Sequence, residues 1–116
     1  MAEIYHMIES EAWAMAQGRT TYEAPSLATE GFIHCTAGER NLVAVANRHY
    51  AHSAGDWLVL VLDPARITSE VRWELQPDAM VYPHIYGLLI LDAVVEVCSF
   101  PRSEDGTFGH FRSPPR

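Results

Sequence analysis

The run WLVLVL at residues 57–62 constrains the fold most strongly, because it is apolar throughout and has the length of a strand. A strand that is apolar on both faces is typical of one that other elements cover on both sides. Gly55-Asp56 precedes the run and Asp63-Pro64 follows it, and both dipeptides favour turns. The sequence therefore predicts a central, buried strand at this position.

The segments on either side of this run predict an α+β domain. A helix is expected from Glu39 to His52, where Thr36 and Glu39 have the spacing of a capping box and the apolar positions follow a helical period. Ser10 is expected to cap a first helix, and residues 19–29 are expected to form a loop. Further strands are expected at residues 3–8, 32–35, 71–75, 82–86 and 93–100. This order is not a βαβ alternation, so it favours small mixed or antiparallel sheets with about two helices.

The length and composition fit one domain. The chain has 116 residues, 48% of them hydrophobic and 20% charged, which is ordinary for a globular protein. The folded domain is expected over residues 1–100. The remaining residues, 101–116, are polar and rich in Pro, Gly and Ser, and we expect them to be mobile or loosely packed.

The charge distribution argues against nucleic acid and membrane as partners. The net charge is −7, and the chain contains no Lys and no run of Arg, whereas nucleic-acid binding usually needs a basic face. The N-terminus MAEIYHMIES has no basic region, and no apolar run reaches the roughly 18 residues that span a bilayer. We therefore expect a cytoplasmic protein that binds neither nucleic acid nor a membrane.

Three histidines fall in or beside predicted strands: His6 in IYHM, His34 in GFIHC and His84 in YPHIYG. A histidine in a buried strand loses hydration unless its ring nitrogens find partners. One interpretation is that a backbone carbonyl satisfies each ring separately. The other is that the three rings form one site.

Two other kinds of site are considered besides a metal-free site of three histidines: a zinc site and a Cys–His nucleophile pair. Three imidazoles and a water would make a catalytic zinc site, but no pair has a close ligand spacing, and Cys35 follows His34 directly and so points to the other face. A Cys–His nucleophile pair would use Cys35 or Cys98, and no local pattern supports it.

A second group of candidates binds rather than reacts. In the triplet RWE, Arg72 and Glu74 share a strand face, which suits an exposed ion pair; Trp73 lies between them. Alternatively, Glu74 accepts a ribose hydroxyl or stabilises a developing cation. Tyr86 precedes a glycine that favours a sharp turn, and the helix start after Thr36 suits an anion.

The set EGFIHCT, a helix ending in RHY, WLVLVLD, RWE and YPHIYG resembles the family called domain of unknown function 952, over about residues 3–98. That family is similar in fold to the ADP-ribosyltransferases, which hold NAD in a cleft between two small sheets. The resemblance implies that this chain has such a fold, and that NAD or an ADP-ribose compound is its substrate.

The resemblance also implies roles for the three histidines. His6 would meet the ribose, His34 would take the place often held by Tyr on the nicotinamide side, and His84 stands where those enzymes carry a catalytic Glu. A neutral His accepts a proton but does not stabilise a cation as a carboxylate does, so this is a departure from the family pattern. Arg72 or the helix start after Thr36 would hold phosphate.

Two points stay open. If the ligand is NAD, as the resemblance implies, its nicotinamide would stack on either Tyr86 or Tyr50. The alternative function is a non-catalytic module that binds a nucleotide-like or other anionic ligand in the same cleft. The sequence does not indicate an oligomeric state.

Overall fold

A computed structural model describes residues 3–111 as three antiparallel sheets and three α-helices, which confirms the α+β class. The α-helices are α1 (Ser10–Ala16), α2 (Pro25–Glu30) and α3 (Glu39–Tyr50). The strands are β1 (Ile4–Glu9), β2 (Thr21–Tyr22), β3 (Ile33–His34), β4 (Trp57–Leu62), β5 (Glu70–Leu75), β6 (Val81–Tyr86), β7 (Leu89–Ile90) and β8 (Val94–Phe100). One-turn 3₁₀ helices occupy Pro64–Arg66 and Leu91–Ala93.

Strand β4 is the centre of the first sheet, whose order is β1-β4-β8. Its alternate side chains enter two different hydrophobic cores: Leu60 and Leu62 pack in one, and Val59 and Val61 in the other. All four are buried, so the predicted central strand with two covered faces is confirmed.

The second sheet has the order β3-β6-β5, and a tight turn joins β5 to β6. In this turn the Ala79 N–H donates to the Gln76 carbonyl, and the Gln76 N–H donates to the Met80 carbonyl (2.9 Å each). Ala79 has a φ of 65°, as expected of the left-handed residue of a hairpin bulge. The β3–β6 register places His34 directly opposite His84.

The segment after β3 connects the first sheet to the second. The Cys35 N–H donates to the Pro83 carbonyl in β6 (3.2 Å), and Thr36 then exchanges two backbone hydrogen bonds with Tyr5 in β1 (2.8 Å each). The chain therefore leaves one sheet and reaches the other within two residues. The two sheets also share one hydrophobic core, to which Ile4 and Leu60 of the first sheet and Ile33 and Ile85 of the second contribute, and a cleft lies beside the connecting segment.

The structure corrects several local expectations. The helix α2 replaces the second half of the expected loop at residues 19–29, and β2 occupies two residues of its first half. The helix begins with Pro25 at its first position and ends at Gly31, whose left-handed φ of 88° suits glycine. No capping box forms, because α3 starts after Gly38 without a side-chain cap and Thr36 is paired with β1 instead. The count of about two α-helices was therefore one short.

Residues 101–111 of the expected tail are packed onto the domain. Phe108 is buried in the second core beside Phe100, with the ring centroids 4.5 Å apart. Arg102 forms a backbone bridge with Phe108, and its guanidinium donates to carbonyls that follow α3. The expectation of loose packing is therefore wrong for these residues, while residues 112–116 lie outside the described part of the chain.

Candidate functional site

A cleft of about 1020 Å³ opens beside the junction of the two sheets. Its walls come from β1, α2, α3, β6 and the turn that follows β5. His6, His34 and His84 all line it, so the topology brings the three predicted histidines to one cavity, and Thr36 lines it with them. This convergence depends on two cross-strand pairings, Tyr5 with Thr36 and His34 with His84.

His6 lines the cleft with one ring nitrogen satisfied and the other without a partner. Its Nδ1 lies 2.6 Å from the backbone oxygen of His34, and since a carbonyl only accepts, Nδ1 is the donor. The neutral ring then has Nε2 as an acceptor, and this atom is buried without a hydrogen-bond partner in residues 3–111. Burial lowers the pKa of His6 to about 4, so the ring is neutral at physiological pH. The wall of the cleft therefore contains a fixed, buried acceptor without a partner.

His84 is paired with a carboxylate from the neighbouring strand. Its Nδ1 lies 2.9 Å from Oε1 of Glu74, and the Tyr86 hydroxyl donates to the same oxygen. These hydrogen bonds, from Tyr86 first and His84 second, lower the pKa of the Glu74 carboxyl. Because an ionised carboxylate only accepts, Nδ1 of His84 is the donor and Nε2 is left as the proton-accepting nitrogen. This is the carboxylate–imidazole arrangement used in general-base catalysis.

Aromatic packing fixes the orientation of the His84 ring. The Phe32 ring stacks on it with centroids 4.1 Å apart and an interplanar angle of 20°. The His34 ring meets it edge-on at 5.4 Å. His84 is therefore held by stacking on its face and by hydrogen bonding at Nδ1, which leaves its rotamer little freedom.

His34 has a different environment from the other two histidines. Its side chain is half exposed, and its Nε2 lies 3.0 Å from Oε2 of Glu30 at the end of α2. The partner comes from the helix that the sequence did not predict. His34 contributes to the site in two ways, through its carbonyl to His6 and through its ring to the cleft.

The residues of the RWE triplet and Tyr86 lie outside the cleft lining. Arg72 does not pair with Glu74 as expected; it binds Glu70 at 2.9 Å, and its guanidinium lies 4.2 Å from the centroid of the Tyr86 ring. Trp73 is exposed on the opposite face of the sheet. Glu74 is connected to the cleft only indirectly, through its hydrogen bond to the lining residue His84. Of the two expected stacking rings, Tyr50 lines the cleft and Tyr86 does not.

A polar network that the sequence did not indicate forms part of the cleft lining. Nη1 of Arg48 on α3 lies 2.9 Å from Oδ2 of Asp78, and the Tyr82 hydroxyl donates to the same oxygen. The Tyr82 hydrogen bond is the largest cause that lowers the pKa of Asp78 to about 2. No sequence signal joins Arg48 to Asp78, because they are far apart along the chain and only the fold brings them together. Tyr22, one of several tyrosines that the sequence offers as stacking surfaces, also lines the cleft, with its ring centroid 5.9 Å from that of His6.

The competing chemistries do not find support in the geometry. Cys35 and Cys98 are buried, and burial raises the pKa of the Cys35 thiol, so the nucleophilic thiolate is disfavoured there. Within residues 3–111, no three or more His, Cys, Asp or Glu side chains are grouped as they would be around a metal ion. The helices in this range are also too short or too polar to cross a bilayer.

Comparisons with known proteins match the chain to a family and a fold. The sequence model of the family described as "Protein of unknown function (DUF952)" matches residues 7–97. No functionally curated protein matches. The crystal structure of CC0527 from Caulobacter crescentus is similar with a TM-score of 0.81 and 20% identity, over 93% of this chain and 94% of that chain. The solution structure of CC0527 gives a TM-score of 0.76 at 20% identity, over 92% and 91%. At this identity the likeness shows the fold alone.

Proposed function

The chain belongs to the DUF952 family of proteins of unknown function, and we propose that its cleft binds NAD or a related ADP-ribose compound and acts on the ribosyl bond. One observation carries the proposal: His6, whose Nε2 has no partner, and His84, which Glu74 orients, line the same cleft. The first is a recognition element that lacks its donor, and the second is a positioned proton acceptor.

His6 selects a ligand group that donates a hydrogen bond. A buried acceptor without a partner costs free energy of about 1–3 kcal/mol, which a ligand hydroxyl recovers when it binds. A ribose hydroxyl is such a donor, and the resemblance to ADP-ribosyltransferases assigns the ribose to His6. The hydrogen bond from Nδ1 to the His34 carbonyl keeps Nε2 unprotonated and so fixes this selectivity.

His84 supplies the proton-transfer step. As the bond between the ribose C1′ and the nicotinamide nitrogen breaks, nicotinamide leaves with the bonding electron pair. The oxygen of water or of another hydroxyl compound then bonds to C1′, and its proton passes to Nε2 of His84. Glu74 holds the ring in the required tautomer and stabilises the imidazolium that forms.

The cleft lining also contains side chains that suit the nicotinamide and phosphate groups of the ligand. Tyr50 offers a ring for nicotinamide. Arg48 is a guanidinium in the cleft lining and replaces Arg72 as the candidate phosphate ligand, on exchange of its partner Asp78. The arrangement of two three-stranded sheets with a cleft at their junction supports the resemblance to the ADP-ribosyltransferase fold.

The first test is ligand-observed NMR with NAD, ADP-ribose and nicotinamide. We expect saturation transfer to NAD or ADP-ribose in the wild type, and its loss in His6→Phe, which keeps an aromatic ring but removes the acceptor. His110→Gln is the matched control, because His110 is exposed and outside the cleft lining. Absence of transfer to all three compounds would overturn the choice of ligand.

The second test separates catalysis from binding. Nicotinamide release from NAD is followed by chromatography for the wild type, His84→Asn and Glu74→Gln. We expect both variants to bind ligand and to lose at least about a hundredfold in rate, the lower end of the range for removal of a general base. Binding without release by the wild type would favour the non-catalytic module instead.

A further inference from the structure

Strand β5 is an open edge of the second sheet. Within residues 3–111 it pairs with β6 alone, in an unbroken register from Glu70 to Leu75. Trp73 is 57% exposed and Leu75 is 71% exposed, although both lie on the apolar face of the strand. Natural edges are commonly protected by charged side chains, Pro or a bulge; EVRWEL has no Pro and no bulge, and its charged residues are of both signs, so they can pair with those of a second strand. This edge is therefore suited to pairing with another strand.

The backbone groups that point out of this edge are identified by the hairpin. The Gln76 N–H donates to the Met80 carbonyl, so this pair is hydrogen-bonded, and antiparallel pairs alternate from it along the ladder. Val71, Trp73 and Leu75 consequently direct their N–H and carbonyl groups away from β6. The carbonyl of Pro83, opposite Trp73, confirms the phase, because it accepts from Cys35 on the far side of β6.

The side chains of β5 are self-complementary about its centre. In an antiparallel pairing with a two-fold axis at Trp73, Val71 faces the partner's Leu75 and Arg72 faces the partner's Glu74. The pairs at Trp73 and at Val71 use the outward backbone groups. The Arg72 pair then falls at a non-hydrogen-bonded position, where side chains are closest. We propose that two copies of this chain associate through β5 in this register, with the strand order β3-β6-β5-β5-β6-β3.

Neighbouring registers are less favourable. An axis at Arg72 places Arg72 against itself and Glu70 against the partner's Glu74, so like charges meet. An axis at Val71 leaves Leu75 beyond the paired segment. The register centred on Trp73 is therefore favoured, because a shift of one residue along the strand changes which side chains face each other.

The association does not rest on the proposed function, but it would affect the candidate site through Glu74. Arg72 leaves its exposed partner Glu70, a pair of the kind that contributes little to stability, and contacts the partner's Glu74. Each copy then supplies a guanidinium to the carboxylate that orients His84 in the other copy.

The first experiment measures mass by sedimentation equilibrium. We expect the wild type to approach twice the chain mass of 13.0 kDa as concentration rises, and Trp73→Thr and Arg72→Glu to remain monomers. Arg66→Glu, a change of the same charge on an exposed turn, should retain the dimer. A mixture of Arg72→Glu and Glu74→Arg should form a heterodimer, because each pair of facing charges is then opposite. A wild type that stays monomeric, or a dimer that survives both single changes, would overturn the proposal.

The second experiment reads the register from amide hydrogen exchange by NMR, in wild type and Trp73→Thr. The amides of residues 71, 73 and 75 should gain protection with concentration in the wild type alone, while those of residues 72 and 74 are protected by β6 in both proteins. Equal protection of residues 71, 73 and 75 in the two proteins at every concentration would also contradict the pairing.

Discussion

Nδ1 of His6 lies 2.6 Å from the backbone oxygen of His34, so the side chain of an edge strand in one sheet is held by the backbone of the other sheet. This contact fixes the tautomer of His6 and ties the two walls of the cleft together. It also makes a buried, neutral histidine part of the folded state, and that has a consequence for pH.

Because of His6, the free energy of unfolding should decrease as the pH is lowered below neutrality. In the unfolded chain its pKa is near 6.5, and burial lowers the pKa to about 4 in the folded state. Between these values the unfolded state binds more protons, so the contribution of neutral His6 is complete above pH 6.5 and is lost as pH falls toward 4. A shift of this size corresponds to about 3 kcal/mol.

Urea unfolding at a series of pH values measures this loss. His6→Phe should reduce the slope of the free energy of unfolding against pH in this range, and His110→Gln should leave it. An unchanged slope in His6→Phe would assign the acid sensitivity to other groups.

The pKa of Asp78 should depend on Tyr82. The hydrogen bond from the Tyr82 hydroxyl is the largest cause of the low pKa of about 2, ahead of the Met80 N–H and Arg48. We therefore expect Tyr82→Phe to raise the pKa of Asp78 toward 3.8, so that the carboxyl takes up its proton at a higher pH. Carboxyl carbon NMR titration measures this value directly. Tyr22→Phe is the control, and an equal effect of that change would refute the assignment.

Ala79→Gly should stabilise the protein. Ala79 has a φ of 65°, and a left-handed conformation costs an L-residue with a Cβ about 1–2 kcal/mol, part of which glycine returns through its greater unfolded-state entropy. The expected gain is about 1 kcal/mol in the free energy of unfolding, measured by urea denaturation. Ala65→Gly, at an exposed 3₁₀ position whose φ is negative, should instead be destabilising. A loss of stability in Ala79→Gly would contradict the argument.

Arg102 should be a major stabiliser of the end of α3. Its guanidinium donates to the carbonyls of Ser53 (2.6 Å) and Ala51 (3.3 Å), and also to that of Gly55. Charged hydrogen bonds contribute about 1.5–3 kcal/mol, so Arg102→Met should lower the free energy of unfolding by about 2 kcal/mol. Arg102→Lys should recover only part of the loss, since an ammonium does not fork between carbonyls. Differential scanning calorimetry of the three proteins would test this order, and a wild-type melting temperature in Arg102→Met would disprove it.

The sequence predicted those elements whose burial leaves a regular pattern. The sequence of β4 is continuously apolar because its side chains pack into two cores. Helix α3 shows a helical period because one of its faces is packed. Helix α2 has no buried residue and so carries no such pattern. Tertiary contacts support it, including the hydrogen bond from the Ser26 hydroxyl to the Phe32 carbonyl (2.8 Å), and isolated short helices are marginal in water.

The candidate site was predictable in its residue types but not in its geometry. His6, His34 and His84 stood out because strand histidines need partners, yet their convergence depends on cross-strand registers that spacing does not encode. The alternation of residues along the strands also did not predict the partner of His84. Glu74 was matched with Arg72 on one face, whereas the structure gives it a diagonal hydrogen bond to the neighbouring strand.

The central position of β4 has a consequence for synthesis on the ribosome. Its first partner, β1, has already been made when β4 emerges, so one side can pair at once. Its other side waits for β8, which begins at residue 94. At roughly 5–20 residues per second, the most apolar strand of the chain has an unpaired edge for a few seconds in every round of translation. That interval is when a nascent chain of this protein is most exposed to aggregation and most suited to chaperone binding.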